Sequence, residues 1–406
     1  MRDAARQVPA GRDPVLILGG GLMGLAIAHQ LARAGVAVQV LSRRRSEAAG
    51  FVAAGMLAPH AEGLSGDLLA LGQRSLERIP GWVAAVEADS GLGCGLRRCG
   101  IVVPFASPQE RQAYATAAWG LPLERQDLER ELPGIGPRWQ AGLLFRQDGQ
   151  IDNRRRLMRA LERACVARGV AFQEGAEVQE LLTDGGGALC GVRLRSAEGE
   201  ERRLETRRAV LTAGAWSAAL LPTLPIVPVK GQMLSLQGPR QALSRVIFGP
   251  GTYLVPRDDG LLVVGATSEV EAGFREGLTP DGQRQLQAGI AALLPQASLW
   301  PPMERWWGFR PCTPDEGPLL GAGPIPGLWL ACGHHRNGVL LAAITAELVC
   351  AAMAAADADP WPAGAGTGPG LDGDPEGQAL LQRFRWDRFS PERGRGATQP
   401  AAPGPA

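Results

Sequence analysis

Short apolar runs and stretches of helical periodicity alternate along the chain. The runs have the length and composition of buried strands, and they lie at 15–18, 36–41, 100–105, 208–214, 229–236, 253–256, 261–267 and 327–332. Apolar residues at helical spacing predict helices over 22–34, 67–88, 154–168, 281–294 and 338–356. The order strand, helix, strand over residues 15–41 indicates a parallel βαβ unit.

The middle of the chain follows a different pattern. Residues 229–267 form successive apolar runs separated by tight turns such as RDDG at 257–260, which is typical of antiparallel strands. The chain is therefore predicted to have an α/β fold. We expect a Rossmann-like nucleotide-binding domain with a parallel sheet and a second, α+β domain with a mainly antiparallel sheet.

Composition narrows the class of protein. A length of 406 residues favours two domains or one elaborate α/β unit. The formal net charge of +1 gives no electrostatic footprint for nucleic acid or anionic lipid. The chain has no uninterrupted apolar stretch of about 20 residues and no apolar signal-peptide core near residue 1. Seven scattered cysteines without a C-x-x-C pair indicate reduced thiols, so we expect a cytoplasmic protein that binds neither nucleic acid nor membrane.

A glycine-rich turn joins the first predicted strand to the first predicted helix. Gly19-x-Gly21-x-x-Gly24 follows the apolar run VLIL at 15–18. Three glycines in this position allow a tight turn, close approach of the backbone to a pyrophosphate, and close packing of helix on strand. The free N–H groups at the start of the helix also favour phosphate. The turn therefore predicts a dinucleotide site, with a purely structural turn as the alternative.

The second predicted strand ends without the acidic residue that usually bonds the ribose. Ser42 stands there instead, followed by Arg43, Arg44 and Arg45. A serine can still hydrogen-bond a ribose, although more weakly than a carboxylate. The arginines fit either the 2′-phosphate of NADP or a solvated loop beside an adenine-ribose site. Both interpretations remain open, and the departure argues against free NAD.

The next segment, EAAGFVAAGMLAPHAEG at 47–63, is rich in small side chains. Around Gly55 such a segment would let the backbone approach a flat ring, as it does along the flavin in FAD enzymes of this kind. A plain Ala/Gly loop has the same composition. Composition alone does not decide between these two interpretations.

Ten ordered motifs resemble the D-amino-acid oxidase superfamily of flavoproteins, most closely its glycine oxidases of the thiamine pathway. They extend from about residue 14 to 356, with a last segment at 384–389. The motifs are GGG (19–21), AAGMLAPHAE (53–62), DNRR (152–155), TAGAWS (212–217), PVKGQM (228–233), YLVPR (253–257), VGAT (264–267), GFRPCTPD (308–315), GHHRNGVLLA (333–342) and FRWDRF (384–389).

This resemblance implies a two-domain flavoprotein with non-covalently bound FAD. The implied activity is oxidation of glycine, or of other small amines, to the imine and glyoxylate, with O2 reduced to H2O2. In the thiamine pathway the imine, dehydroglycine, feeds thiazole formation, so a thiazole synthase is a possible partner, and the family implies a homo-oligomer. Two alternatives stay open: another D-amino-acid, sarcosine or proline oxidase or dehydrogenase, and a catalytically silent flavoprotein that serves as a partner module.

The resemblance also implies a substrate site. No side-chain base is needed, because flavin N5 accepts the hydride while the protein supplies position and charge. An arginine fork matches a carboxylate, and by resemblance Arg310 binds the substrate carboxylate, Tyr253 contacts it and Arg336 lies near the substrate. Ser268 follows VGAT, where some family members have a methionine near the substrate. We expect His60 to be a loop histidine without a catalytic role.

The residues expected to contact FAD come from the same motifs and from the nucleotide turn. They are Gly19, Gly21, Leu22, Met23, Gly24, Ser42, Arg43, Ala49, Gly50, Ala54, Gly55, Met56, Val178, Gly214, His334, His335, Arg336, Asn337, Gly338, Val339 and Leu340. The helix predicted from residue 338 would direct its N-terminus at the flavin and stabilise the reduced, anionic ring. His334 and His335 are interpreted as flavin-edge residues rather than metal ligands, because no second ligand cluster exists. Covalent attachment of flavin to Cys312 is not expected.

The predicted domains are discontinuous in sequence. We expect an FAD-binding domain of residues 14–90, 151–225 and 305–358 and a substrate-binding domain of residues 91–150 and 226–304. We expect disordered tails at 1–13 and 391–406, a Pro/Gly-rich linker at 359–378 and a C-terminal segment at 379–390.

Overall fold

The computed structural model describes residues 13–356 and 373–390; the predicted tails, apart from Asp13, and most of the predicted linker lie outside these ranges. The strands are β1 Val15–Leu18, β2 Val38–Ser42, β3 Met56–Leu57, β4 Ile101–Phe105, β5 Leu121–Glu124, β6 Ala141–Phe145, β7 Gly149–Gln150, β8 Ala171–Glu174, β9 Glu177–Thr183, β10 Leu189–Arg195, β11 Glu201–Glu205, β12 Ala209–Leu211, β13 Val227–Gln237, β14 Val246–Gly249, β15 Thr252–Pro256, β16 Leu261–Gly265, β17 Pro302–Cys312, β18 Leu319–Ala322 and β19 Leu328–Cys332. The α-helices are α1 Leu22–Arg33, α2 Gly66–Ser90, α3 Pro108–Gln112, α4 Arg125–Glu131, α5 Met158–Ala167, α6 Ser217–Leu220, α7 Pro280–Leu293, α8 Gly338–Ala356 and α9 Pro375–Arg383.

A six-stranded sheet carries the glycine-rich turn. Its strand order is β18-β19-β12-β1-β2-β8, and every neighbouring pair is parallel except β18 with β19. β1 lies inside the sheet, and all four of its residues are buried. The chain continues from β1 to β2 on one side and reaches β12 on the other, so a crevice opens at the carboxyl end of β1.

Four helices cover one face of this sheet. α1, α2, α5 and α8 pack their apolar residues into one continuous core. Within the described ranges, α8 is the one helix that is long and apolar enough to cross a membrane by length and composition. Most of its residues are buried against α1, α2 and the sheet, which is the packing expected of a core helix and accounts for its apolar composition.

An eight-stranded sheet forms the second part of the molecule. Its order is β17-β13-β16-β15-β14-β4-β6-β5, and its pairs are antiparallel except β14 with β4. One face packs on α4 and α7. The other face packs against Ala54, Ala58 and Ala61 of the small-residue segment. The predicted α/β fold with one parallel and one antiparallel sheet is confirmed.

Several short strands and helices were not predicted, and two larger features also differ from the sequence-based prediction. A three-stranded sheet, β11-β10-β9, covers the other face of the six-stranded sheet, and its strands gave no apolar signal because β9 and β11 have no buried residues. The predicted domain boundary at residue 305 falls inside β17, which pairs with β13 as far as Cys312. These residues therefore belong to the antiparallel sheet, and the remaining domain boundaries stay a proposal.

Residues 373–390 return to the six-stranded sheet after α8. The backbone N–H of Leu320 in β18 donates to the carbonyl of Phe384 at 2.9 Å. Arg388 donates to both carboxylate oxygens of Asp315, each at 2.8 Å, and to the carbonyls of Gly317 and Pro318 at 2.9 Å. The C-terminal segment thus fixes the turn that joins β17 to β18.

Gly24 tests the close packing of α1 on β1. A Cβ atom added there would overlap the carbonyl oxygen of Gly19 and crowd the side chain of Thr212. We expect Gly24→Ala to lower the free energy of unfolding by about 1–3 kcal/mol, as overpacking does. Gly81→Ala is the matched control, because Gly81 lies in α2 and nothing is within 4 Å of the added Cβ; here we expect stabilisation of about 0.5–1 kcal/mol. Denaturant titrations of both variants measure the difference, and an unchanged Gly24→Ala protein would contradict the packing role.

Candidate active site

A long cleft runs between the two large sheets. One end is formed by the glycine-rich turn after β1 and by the carboxyl ends of β2, β12 and β19. The other end is the face of the antiparallel sheet that carries Tyr253 and Arg310. The small-residue segment 48–56 forms part of the wall between these ends. The cleft is therefore built by elements that are far apart in sequence.

The turn at the nucleotide end has the backbone geometry that a pyrophosphate requires. Gly19 has a φ of 126°, a region that favours glycine. Gly21 is the N-cap of α1 and contributes no side-chain cap, so the first N–H groups of this helix are free to bind a ligand. Gly20 and Gly21 line the cleft beside these N–H groups. This is an anion site of the kind found in dinucleotide-binding folds.

The three arginines after Ser42 are already neutralised by acidic residues. Their ion pairs are Arg43 with Glu47 (2.6 Å) and Glu177 (3.4 Å), Arg44 with Glu47 (2.8 Å), and Arg45 with Glu174 (2.9 Å) and Glu162 (3.1 Å). Carboxylates at this position would repel an additional phosphate. The arrangement argues against an NADP 2′-phosphate, and the buried Ser42 lines the cleft beside these arginines.

Backbone forms the middle of the cleft wall. Gly55 has a φ of 87°, and a Cβ atom there would overlap the carbonyl oxygen of Ile151. The backbone N–H of Ile151 donates to the carbonyl of Gly55 at 2.8 Å. Asn153 donates to the carbonyl of Gly50, which holds the preceding turn. Small residues are therefore required here because another backbone segment lies directly behind this one.

Arg310 is a half-buried cation at the substrate end of the cleft. Its guanidinium donates to the carbonyl of Thr267 at 3.0 Å, and none of the described carboxylates forms an ion pair with it. Burial lowers its pKa from the usual arginine value. A Cβ atom on Gly231 would overlap the guanidinium, so this glycine leaves the space that Arg310 occupies. A half-buried cation that faces a cleft and has no ion-pair partner among the described residues is a site for an anionic group.

Tyr253 lies beside Arg310 on the same sheet face. Gly265 of the neighbouring β16 leaves room for its ring, since a Cβ atom there would overlap it. The hydroxyl of Tyr253 donates to Sδ of Met233 at 3.4 Å. Burial raises the pKa of Tyr253, and the neighbouring Arg310 opposes this effect. The hydroxyl is therefore protonated at neutral pH and can donate to a bound carboxylate.

Glu62 is an acidic residue of the cleft that the sequence analysis did not single out. Its Oε2 lies 3.0 Å from Nη2 of Arg336, and only 7% of its side chain is exposed. Burial raises the pKa of Glu62, and the nearby Arg336 opposes the effect. Arg336 is thus neutralised within the cleft, whereas Arg310 is not. Glu62 closes the AAGMLAPHAE motif, but nothing in the local pattern indicates that it faces an arginine 274 positions later.

His60 fixes the segment that carries Glu62. Its Nδ1 lies 2.6 Å from Oδ1 of Asp148, and the other carboxylate oxygen accepts the backbone N–H groups of His60 and Ala61 at 3.2 and 2.8 Å. Both side chains are buried, and His60 does not line the cleft. His60 therefore has a structural role, which is to fix this segment against Asp148.

Residues 14–352 match the model of the FAD dependent oxidoreductase family, DAO. The chain belongs to this family. FAD is accordingly its cofactor. The N-termini of α1 and α8, the glycine-rich turn and the small-residue segment that lines the cleft fit such a group. The expectation of a D-amino-acid-oxidase-type flavoprotein is confirmed.

Several proteins of this DAO family are similar to the chain. It is 42% identical over 343 residues to the bifunctional protein ThiO/ThiG of Synechocystis sp., covering 82% of the chain and 50% of that protein. It is 31% identical to the glycine oxidase of Pseudomonas aeruginosa, covering 84% of the chain and 94% of the oxidase. The crystal structure of glycine oxidase from Geobacillus kaustophilus matches with a TM-score of 0.78 and 27% identity, covering 87% and 97% of the two chains. The chain spans about half the length of the ThiO/ThiG relatives.

Most of the residues predicted from the DAO resemblance line the cleft. They are Gly19, Gly21, Leu22, Met23, Ser42, Arg43, Ala49, Gly50, Ala54, Gly55, Met56, Val178, Gly214, Tyr253, Arg310, His334, His335, Arg336, Gly338 and Val339. Lining a cleft does not assign a contact, so their roles toward cofactor and substrate remain proposals.

Four of the predicted residues lie elsewhere. Ser268 is exposed outside the cleft, because the chain turns outward after the buried Thr267. Gly24 packs against Gly19 behind the turn, and Leu340 directs its side chain at α2, where it would meet a Cβ on Gly72. Asn337 is buried at the start of α8, and its backbone N–H donates to the carbonyl of His334 at 2.9 Å. The structure places these four residues outside the cleft lining, and their contacts with cofactor or substrate stay predictions.

The two neighbouring histidines point in different directions. Nε2 of His334 lies 2.9 Å from the hydroxyl oxygen of Thr345 in α8, whereas Nδ1 of His335 lies 3.6 Å from Glu316. Across the described residues, no group of three or more His, Cys, Asp or Glu is placed to hold a metal. Cys312 does not line the cleft, and burial raises the pKa of its thiol to about 11.

His334 predicts a pH dependence of stability. Burial lowers its pKa to about 3, whereas an unfolded histidine titrates near 6.5. Below pH 6.5 the unfolded chain therefore binds a proton that the folded chain does not, which costs about 1.4 kcal/mol of unfolding free energy per pH unit. We expect His334→Gln, which carries no titratable group, to lose stability less steeply between pH 6.5 and 5. Urea titrations across this range measure the two slopes, and parallel slopes would contradict the assignment.

Proposed function

We propose that this chain oxidises glycine to its imine with FAD as cofactor and O2 as electron acceptor, releasing H2O2. The observation that supports this most strongly is the half-buried guanidinium of Arg310, which lies beside the Tyr253 hydroxyl and forms no ion pair with the described residues. A carboxylate is the anion that a guanidinium fork and a phenolic hydroxyl bind together. The glycine oxidases among the relatives support an amino acid as the source of this carboxylate.

The residues of the cleft have separate roles in this proposal. Arg310 and Tyr253 bind the substrate carboxylate and orient the carbon that loses hydrogen. FAD, when bound, supplies the two-electron acceptor, so the protein needs no side-chain base of its own. Arg336 lies near the substrate, with its charge balanced by Glu62. The buried sheet face around Tyr253 excludes water from this end of the cleft.

The nucleotide end has a matching assignment. We propose that the Gly19–Met23 turn holds the pyrophosphate and Ser42 the adenine ribose, while segments 49–56 and 334–339 lie along the ring system. The N-terminus of α8 then faces the ring and stabilises negative charge on it. Attachment is non-covalent in this proposal, because the Cys312 thiol lies outside the cleft.

The thiamine pathway is the proposed destination of the product. The imine of glycine is dehydroglycine, which a thiazole synthase can consume, and the ThiO/ThiG names of the relatives support this link. A cytoplasmic location and a homo-oligomeric assembly are parts of the same proposal.

A substrate profile tests the proposed reaction. We expect purified protein to be yellow, glycine to bleach it under anaerobic conditions, and oxygen uptake with glycine to yield H2O2. Glycine, sarcosine, D-alanine and D-proline should be compared in the same assay. Preference for one of the other amines, or reduction of a quinone dye without peroxide, would favour a different oxidase or dehydrogenase. No bleaching by any small amine would favour a catalytically silent flavoprotein.

Arg310→Met tests the carboxylate site. Loss of a charge-assisted, desolvated hydrogen-bond pair of about 1.5–3 kcal/mol should raise the KM for glycine by roughly 10- to 100-fold. Arg305→Met is the matched control, because Arg305 is exposed on the same strand. Steady-state kinetics on holoenzyme with an unchanged flavin spectrum measure both variants. Equal KM values for the two variants would contradict the assignment of Arg310 to the substrate carboxylate.

A further inference from the structure

Arg257 ends the YLVPR motif, in which the proposed function uses only Tyr253. It begins the hairpin turn between β15 and β16, where its backbone N–H donates to the carbonyl of Leu261 at 2.8 Å. Its side chain does not extend into solvent as a turn arginine usually does, since only 5% of it is exposed. The chain buries a full positive charge at this point.

The guanidinium of Arg257 crosses from the antiparallel sheet to the wall of the cleft. It donates to the carbonyl of Ala54, a residue that lines the cleft, and to Oε1 of Gln150. The amide of Gln150 in turn donates to the carbonyl of Pro256 at 2.8 Å. Nε of Arg257 lies 3.7 Å from Oδ1 of the buried Asp152. One planar fork thus joins the end of β15 to the segment that precedes β3 and to β7.

We infer that Arg257 is a positioning residue that sets the distance between the carboxylate-binding sheet face and the flavin-lining backbone at Ala54. Tyr253 lies near the start of β15 and Arg257 directly follows its last residue, so this strand carries the proposed substrate contact at one end and the contact with the cleft wall at the other. Gly55, the next residue in that wall, has no side chain with which to fix itself. Its own carbonyl is held only from behind, by Ile151.

The inference rests on the proposed function for the identity of the substrate. The hydrogen bond between Arg257 and Ala54 does not depend on that function. If Arg257 fixes the cleft wall, its loss loosens FAD and misaligns the reacting carbon. It does not disturb Arg310 and Tyr253, which stay on their own sheet. Turnover should therefore fall while the affinity for the carboxylate stays nearly constant, which is the pattern of lost alignment rather than of lost binding.

Arg155→Met is a matched control within the same cluster of charges. Arg155 pairs with Asp152 at 3.0 Å and with Asp259 at 2.8 Å, yet it does not contact Ala54. Arg257→Lys is the conservative variant, because an ammonium keeps the charge but cannot present a planar fork to both acceptors. If Arg257 contributed to stability alone, the FAD Kd and the rate of flavin reduction of Arg257→Met and Arg155→Met would change in proportion to their losses of Tm.

The experiment compares the three variants as holoenzymes. Fluorescence titration gives the Kd for FAD, and anaerobic stopped-flow reduction by glycine gives the limiting rate of reduction and the Kd for glycine. For Arg257→Met we expect the FAD Kd to rise and the limiting rate to fall by roughly tenfold each, with the glycine Kd within about twofold of wild type. Arg257→Lys should recover part of both losses, and Arg155→Met should change neither by more than about twofold.

Two results would overturn the inference. One is an FAD Kd and a reduction rate for Arg257→Met that match those of Arg155→Met at similar Tm. The other is a rise in the glycine Kd that accounts for the whole kinetic effect. Absence of glycine oxidation in the wild-type protein would contradict the proposed substrate instead, and the FAD titration would still decide whether Arg257 holds the cleft wall.

Discussion

Charge balance at the substrate end of the cleft is the constraint on which the functional interpretation depends. A buried cation is expensive unless an opposite charge or several acceptors compensate it. Arg336 meets this condition through Glu62, and the arginines after Ser42 meet it through acidic partners at the rim. Arg310 forms no ion pair with the described residues; it donates to the carbonyl of Thr267 and lies beside the Tyr253 hydroxyl. The fold therefore maintains a position at which the binding of an anion is more favourable than it would be in water. Gly231 leaves the space that Arg310 occupies, and Gly265 leaves the space for the ring of Tyr253.

The nucleotide end of the cleft could be predicted from sequence because its determinants are local. The turn, the N-terminus of α1 and the strand that follows lie within 28 residues, from Val15 to Ser42, and their order alone specifies the geometry. The helices of the FAD-binding core were also recognisable, since a wide apolar face has a strong period. The strands of the three-stranded sheet were not, because β9 and β11 bury no residue and offer no pattern to read.

The substrate end of the cleft could be predicted only from the resemblance to the family. Such a resemblance assigns residue positions and not side-chain orientations. Arg310 and Tyr253 fall where the family motifs place them, in the cleft. Ser268 does not, because the chain has left β16 at Gly265 and turns outward after the buried Thr267. Glu62 and Arg257 were missed for a related reason. Each is defined by a partner in another element, Arg336 and Ala54, and no spacing in the sequence encodes such a pair.

The six-stranded sheet has a consequence for the order in which this molecule can mature. β1 lies between β2, which follows it directly, and β12, which is made almost 200 residues later, and β19 must still be added beyond β12. The first 60 residues contain the whole glycine turn, yet they leave the ribosome without the strands that complete the crevice. Val339, at the start of α8, is the last of the described residues in sequence that lines the cleft. The crevice that would hold the cofactor is therefore completed only late in synthesis, long after the nucleotide turn has been made.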